Sequence, residues 1–162
     1  MIGTAMLTTM FDYNAAMNAR LLACAERVSA AEMDAPADMG RGSLRETLYH
    51  MVTVEWAWGH VVRDHHGPTA PPTLEPSAPI TAYEAFAAGV QQEMHAFLAQ
   101  LTDDDLAATV TVERFGKEHQ IIVWRMLVHM LYHAAQHRAE VAALLTRYGQ
   151  SPGDTDFIFF AG

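Results

Sequence analysis

Apolar positions recur at three- and four-residue intervals along four long stretches of the chain, and turn-forming residues separate them. The first stretch runs from about Met6 to Arg27 and predicts a helix rich in Ala, Leu and Met. A loop follows from Ser29, ending in Met39-Gly40-Arg41-Gly42. The second helix opens at Ser43-Leu44-Arg45-Glu46, a spacing in which the hydroxyl and the carboxylate can each satisfy an amide left unpaired by the first turn. It runs to about Asp64 and ends at Gly67-Pro68. The proline-rich stretch from Pro68 to Pro79 predicts an extended connection, since proline lacks the amide proton a helix interior needs. Thr81-Ala82-Tyr83-Glu84 repeats the capping spacing and predicts a third helix to about Leu101. Alternating β-branched residues from Thr109, with Gly116 at the centre, predict a short hairpin. The fourth helix spans about Val123 to Tyr148 and stops at Gly149, and the tail ending in Phe157-Ile158-Phe159-Phe160 is expected to fold back on the rest.

Four helices of this length predict an all-α fold, a four-helix bundle with a short β-hairpin before the last helix, forming a single domain over residues 1–162. The long second connection permits neighbours that are not consecutive in the chain. Helix four is apolar on nearly every side. Its histidine-free face carries Leu127, Leu131, Ala135, Ala142 and Leu145, which suggests burial against the tail or against a second copy, and a homodimer is the expectation.

Charge narrows the function. Lys and Arg number 10 against 19 Asp and Glu, for a net charge of −9. Nucleic acid and anionic membrane surfaces are both bound through clustered cations, so neither is an expected partner. Cys24 is the only cysteine and lies in an apolar run, which excludes an internal disulfide and suggests a buried, inert thiol. No stretch approaches the roughly 18 apolar residues of a membrane span, and the N-terminus does not read as a signal peptide, so a cytoplasmic location is expected.

Nine histidines carry most of the candidate chemistry. At about 100° per residue, His129, His133, His137 and Glu140 fall within roughly 80° of one another, on the face that also holds Met126, Met130, Val141 and Leu144. Histidines four apart on one helix can grip a single ion. His50 shares the inward face of the second helix with Glu46, Thr47 and Val54. An inward histidine facing such a pair offers three neutral nitrogen ligands and leaves positions on the metal open. Spacing alone does not decide whether His133 pairs with His129 or with His137. The one left over, together with Glu46 and Glu140, would orient a ligand or line the pocket. His60, His65, His66, His95 and His119 read as surface or rim groups. Arg138 lies off the histidine face and suggests a structural pairing with an acidic residue, while Tyr132 and Trp56 are candidates for core or pocket wall.

Several segments resemble the DinB/YfiT-like family of metalloenzymes: Tyr13-Asn14 through Leu22, Gly42-Ser43 through His50, the hairpin, and the closing Pro152-Gly153-Asp154-Thr155-Asp156. The most specific is His129-Met130-Leu131-Tyr132-His133-Ala134-Ala135-Gln136-His137-Arg138, which resembles the family's His-x-x-x-His-Arg signature. Ala16 and Ala139-Glu140 depart from it, standing where many members carry Trp and Gly-Gln. The resemblance implies an up-down-down-up bundle, frequent homodimers, and His50, His133 and His137 as ligands of nickel, zinc or a similar divalent ion. It further implies a thiol-dependent transferase or isomerase, in which a low-molecular-weight thiol attacks an electrophilic substrate. A metal-dependent hydrolase and a non-catalytic, stress-related metal-binding protein are the other readings. No Ser, Cys or Thr stands out as a nucleophile with a base beside it, which fits a nucleophile delivered from outside the chain.

Overall fold

The computed structural model describes residues 3–114 and 116–160. Four long helices form it: α1 (Thr4–Ala25), α3 (Leu44–Asp64), α4 (Ile80–Leu98) and α6 (Val123–Arg147). Two short ones, α2 (Ala30–Met33) and α5 (Asp103–Ala107), and the strands β1 (Thr109–Arg114) and β2 (Lys117–Ile122) lie between them.

The local starts and stops follow from side-chain chemistry. The Ser43 hydroxyl accepts the Glu46 amide at 3.1 Å and donates to the Glu46 carboxylate at 3.2 Å, opening α3 where the sequence placed it. That helix ends at His65, whose left-handed backbone (φ 63°) lets its amide reach the carbonyl of Val61. Helix α4 begins earlier than expected. Its cap is Pro79, whose ring presets the backbone for a helix start, so Thr81 already lies in the first turn and caps nothing. The Tyr83 hydroxyl donates to the Pro76 carbonyl at 2.6 Å and ties this turn to the loop before it. The reciprocal capping pairs instead occur on the short helices, Ser29 with Glu32 and Thr102 with Asp105. The first of these places a helical turn inside the segment read as a loop.

Helices α1 and α3, consecutive among the long ones, do not pack as neighbours; each lies against both α4 and α6. Paired residues give the directions. Arg63 and Glu93, both near the ends of their helices, meet at 3.0 Å, so α3 and α4 run parallel. Asp12 reaches His95 at 2.7 Å, and the amide of Thr4 reaches Asp103, so α1 and α4 are antiparallel. His50 lies beside His137 and Trp58 beside His129, which makes α3 and α6 antiparallel. Arg27 meets Gln150, while Arg138 meets Asn14, so α1 and α6 are parallel. The order is up, down, down, up.

The hairpin pairs Thr109 with Ile122 in antiparallel register, buries Val112, and is tied to the end of α3 by the Glu113 amide on the His65 carbonyl. Two apolar clusters fill the bundle. One gathers Leu22, Leu48, Met51, Tyr83 and Leu144; the other gathers Phe11, Val62, Met94, Met126 and Leu127. Asn14, Asn18, Glu55, His133, His137 and Arg138 come from the helix segments between the two, so a polar layer crosses the bundle.

Leu127, Leu131 and Leu145 are buried by the chain's own helices, because α6 is flanked by α1 and α3. Their burial requires no second copy, and Ala135 is exposed. The tail folds back only in part. Phe157 and Phe160 pack edge-on against Tyr13, whose hydroxyl donates to the Thr155 carbonyl. Ile158 and Phe159 are 81% and 77% exposed and point away. Among the described residues no helix is long and apolar enough to cross a membrane.

Candidate metal centre

Helix α3 contributes His50, and α6 contributes His133 and His137 one turn apart. Ring centroids lie 5.4 Å apart for His50 and His133, 4.7 Å for His50 and His137, and 4.5 Å for His133 and His137. One ring nitrogen from each falls within 4.8 Å of the others. Metal–nitrogen bonds are about 2.0–2.1 Å, so three nitrogens grouped this closely are positioned to bind one ion.

The electrostatics favour the ligating form. Burial lowers the pKa of His133 to about 4, with repulsion from His137, His50 and His129 adding to the effect. Burial also lowers that of His50, helped by His137 and by the Arg41 guanidinium. Both rings are therefore neutral near pH 7 and keep a lone pair to give. Neither makes a hydrogen bond to any described residue. His137 is only 5% exposed, and its Nδ1 lies 2.6 Å from Oε2 of Glu140. The proton on Nδ1 is thereby donated to the carboxylate, which fixes the tautomer and leaves Nε2 for the site. A donor set of three imidazoles, one braced by a carboxylate, fits a borderline divalent metal such as zinc or nickel.

His129 is outside the cluster. It is exposed, its ring packs edge-on against Trp58 at 4.7 Å, and it lies 6.1 Å from the His133 ring. Glu140 stands where the sequence placed it, against a histidine. Glu46 does not touch a histidine; its carboxylate is engaged by Ser43, and it lines the outer cleft beside His50. Tyr132 is 73% exposed and forms neither core nor pocket wall. Trp56 is half-buried between His60 and Phe86. Cys24 is buried, as expected.

A sequence profile of the DinB family matches residues 1–162. The chain belongs to the DinB family. Its fold is also similar to the crystal structure of a DinB-like protein from Bacillus subtilis, with a TM-score of 0.65 and 14% identity over 88% of this chain and 92% of that one. No curated protein matches the chain. Within this DinB protein Arg138, the residue after the second histidine of the pair, donates to Oδ1 of Asn14 and lies over the Tyr13 ring. Asn14 and Asn18 in turn donate to the two carboxylate oxygens of Glu55 at 2.9 and 3.0 Å. Arg138 thus reaches its acidic neighbour through an amide, and the network joins α1, α3 and α6 directly behind the histidines. The sequence carried a sign of it: Asn14 and Asn18 are four apart on one face of α1, and Glu55 is the one charged residue in the run Val52 to Trp58 of α3.

Proposed function

We propose that this DinB protein is a divalent-metal-dependent transferase that uses a low-molecular-weight thiol to attack an electrophilic substrate, with His50, His133 and His137 as the metal ligands. The observation that carries the reading is the trio itself: three converging imidazoles, of which His50 and His133 are kept neutral by burial and make no hydrogen bond to any described residue. When bound, a divalent ion would make a thiol in its open position far easier to deprotonate. The chain's own residues hold and orient. His50 and His133 supply nitrogens kept neutral by burial, and Glu140 fixes the ring of His137. The Glu55–Asn14–Arg138 network keeps α1, α3 and α6 in register behind them. Cys24 is buried, its thiol donating to the Ser151 carbonyl and accepting from the Arg27 guanidinium, far from the role of an internal nucleophile.

Protein purified without chelators should carry about one divalent ion per chain, measured by elemental analysis. The loaded protein should then conjugate a fluorogenic electrophile to at least one member of a panel of small thiols. One ion per chain with no turnover across the panel favours a binding protein. Turnover of ester or amide substrates without added thiol favours a hydrolase. Absence of any metal enrichment, even after incubation with nickel or zinc, would remove the basis of the proposal.

A further inference from the structure

The cleft outside His50 has a volume of 320 Å³ and is lined by Arg41, Glu46, Tyr49, His50 and Pro76. Arg41 is, with Arg125, one of two arginines with described side chains whose guanidinium meets no protein oxygen; Arg125 stacks on Trp124, whereas Arg41 lies in a cleft beside a histidine of the trio. Arg20, Arg27, Arg45, Arg63, Arg138 and Arg147 all have their guanidinium groups tied to an oxygen of the protein. The Arg41 side chain makes no hydrogen bond or ion pair with any described residue. It is close enough to His50 to disfavour the protonated imidazole. Glu46, the nearest carboxylate in the cleft, is occupied by the Ser43 hydroxyl.

The backbone that presents Arg41 is built with care. Gly40 and Gly42 flank it at φ 66° and 103°, a region that other residues avoid. A Cβ on Gly40 would lie 2.4 Å from Oγ1 of Thr47, and that same oxygen accepts the Arg41 amide at 2.9 Å. The Thr47 hydroxyl donates to the Ser43 carbonyl, so the Arg41 backbone is anchored to the first turn of α3, one turn before His50.

We propose that Arg41 is the anion-recognising residue of the metal centre, so that the thiol or substrate brought to the histidines carries a carboxylate or phosphate group. The inference rests on the metal-site reading above. A guanidinium fork matches either oxyanion through two parallel hydrogen bonds, and its charge compensates an anion that the chain's net charge of −9 would otherwise repel.

The test compares two thiols that differ in one charge. Cobalt-loaded protein is titrated with 3-mercaptopropionate and with 2-mercaptoethanol, and the cobalt absorption spectrum reports each affinity. The wild type should bind the carboxylate thiol at least tenfold more tightly. Arg41→Gln should erase that preference and leave 2-mercaptoethanol unchanged, and Arg41→Lys should keep part of it. Equal binding of the two thiols by the wild type, or equal weakening of both in Arg41→Gln, overturns the inference while leaving the metal site standing. Failure of the protein to take up cobalt speaks against the metal reading instead. The anion site is then judged without metal, by following the Arg41 side-chain NεH resonance during titration with succinate and with inorganic phosphate. A saturable shift with either supports it and shows which oxyanion is preferred; no shift with both overturns it.

Discussion

Nδ1 of His137 and Oε2 of Glu140 lie 2.6 Å apart, one helical turn from each other, in a pair where Glu140 stands in place of the glutamine common to the family it resembles. A carboxylate here does more than orient the ring. It makes the opposite nitrogen a stronger donor. Glu140→Gln, which keeps a hydrogen-bond acceptor but removes the charge, should weaken metal affinity by about tenfold, and Glu140→Ala by about a hundredfold. Competition against a chelator of known affinity measures both, with unchanged circular dichroism as the control.

The choice between the two histidine pairs is directly testable. His133→Ala and His137→Ala should each abolish stoichiometric metal binding. His129→Ala should leave the metal content near that of the wild type, because its ring packs on Trp58 outside the cluster. Loss of metal in His129→Ala would reassign the site.

Acid should destabilise the metal-free protein through His133. Its pKa is about 4 in the folded chain and 6.5 when unfolded, so the unfolded chain binds the proton more readily. Stability from this group is full above pH 6.5 and declines as the pH falls towards 4. His133→Gln should flatten that part of the profile, as measured by urea unfolding at pH 7.0, 6.0 and 5.0 without metal.

Glu55 should behave in the opposite sense. Burial raises its pKa, and the hydrogen bonds from Asn14 and Asn18 offset this only in part. Ionised Glu55 therefore costs stability as the pH rises through its elevated pKa. Oδ1 of Asn18 is buried with no hydrogen-bond partner among the described residues, so a flipped Asn18 amide can receive a donor from glutamine at position 55. Glu55→Gln should change stability by less than about 1 kcal/mol. Glu55→Ala leaves the buried amide donors of Asn14 and Asn18 unpaired and should cost about 3 kcal/mol. Thermal and urea unfolding give both values.

The periodicity of the chain was enough to find the four long helices and the inward histidines, which depend on contacts three or four residues apart, and the hairpin, which shows as two-residue alternation around Gly116. It could not separate His129 from His137. Both lie on the same helical face, and what divides them is the course of α3, which meets α6 with His50 at one level and Trp58 at another. The start of α4 was misplaced for a related reason. Thr81 and Glu84 have the capping spacing, but Pro79 and the bond from Tyr83 to Pro76 set the first turn earlier. The role of Arg41 was invisible until the fold placed two glycines and Thr47 around it. The Glu55 network joins residues 37 and more positions apart, beyond any local pattern.

His50 and His133 are 83 positions apart along the chain, on antiparallel helices separated by the proline-rich connection, α4 and the hairpin. An ion gripped by both would therefore act as a reversible cross-link between the two halves of the polypeptide. A cross-link closing a loop of that length removes about 4–5 kcal/mol of conformational entropy from the denatured chain. Binding would then report on completion of folding. A nascent chain lacking α6 has one histidine of the three, and the site comes into being only when the last helix docks.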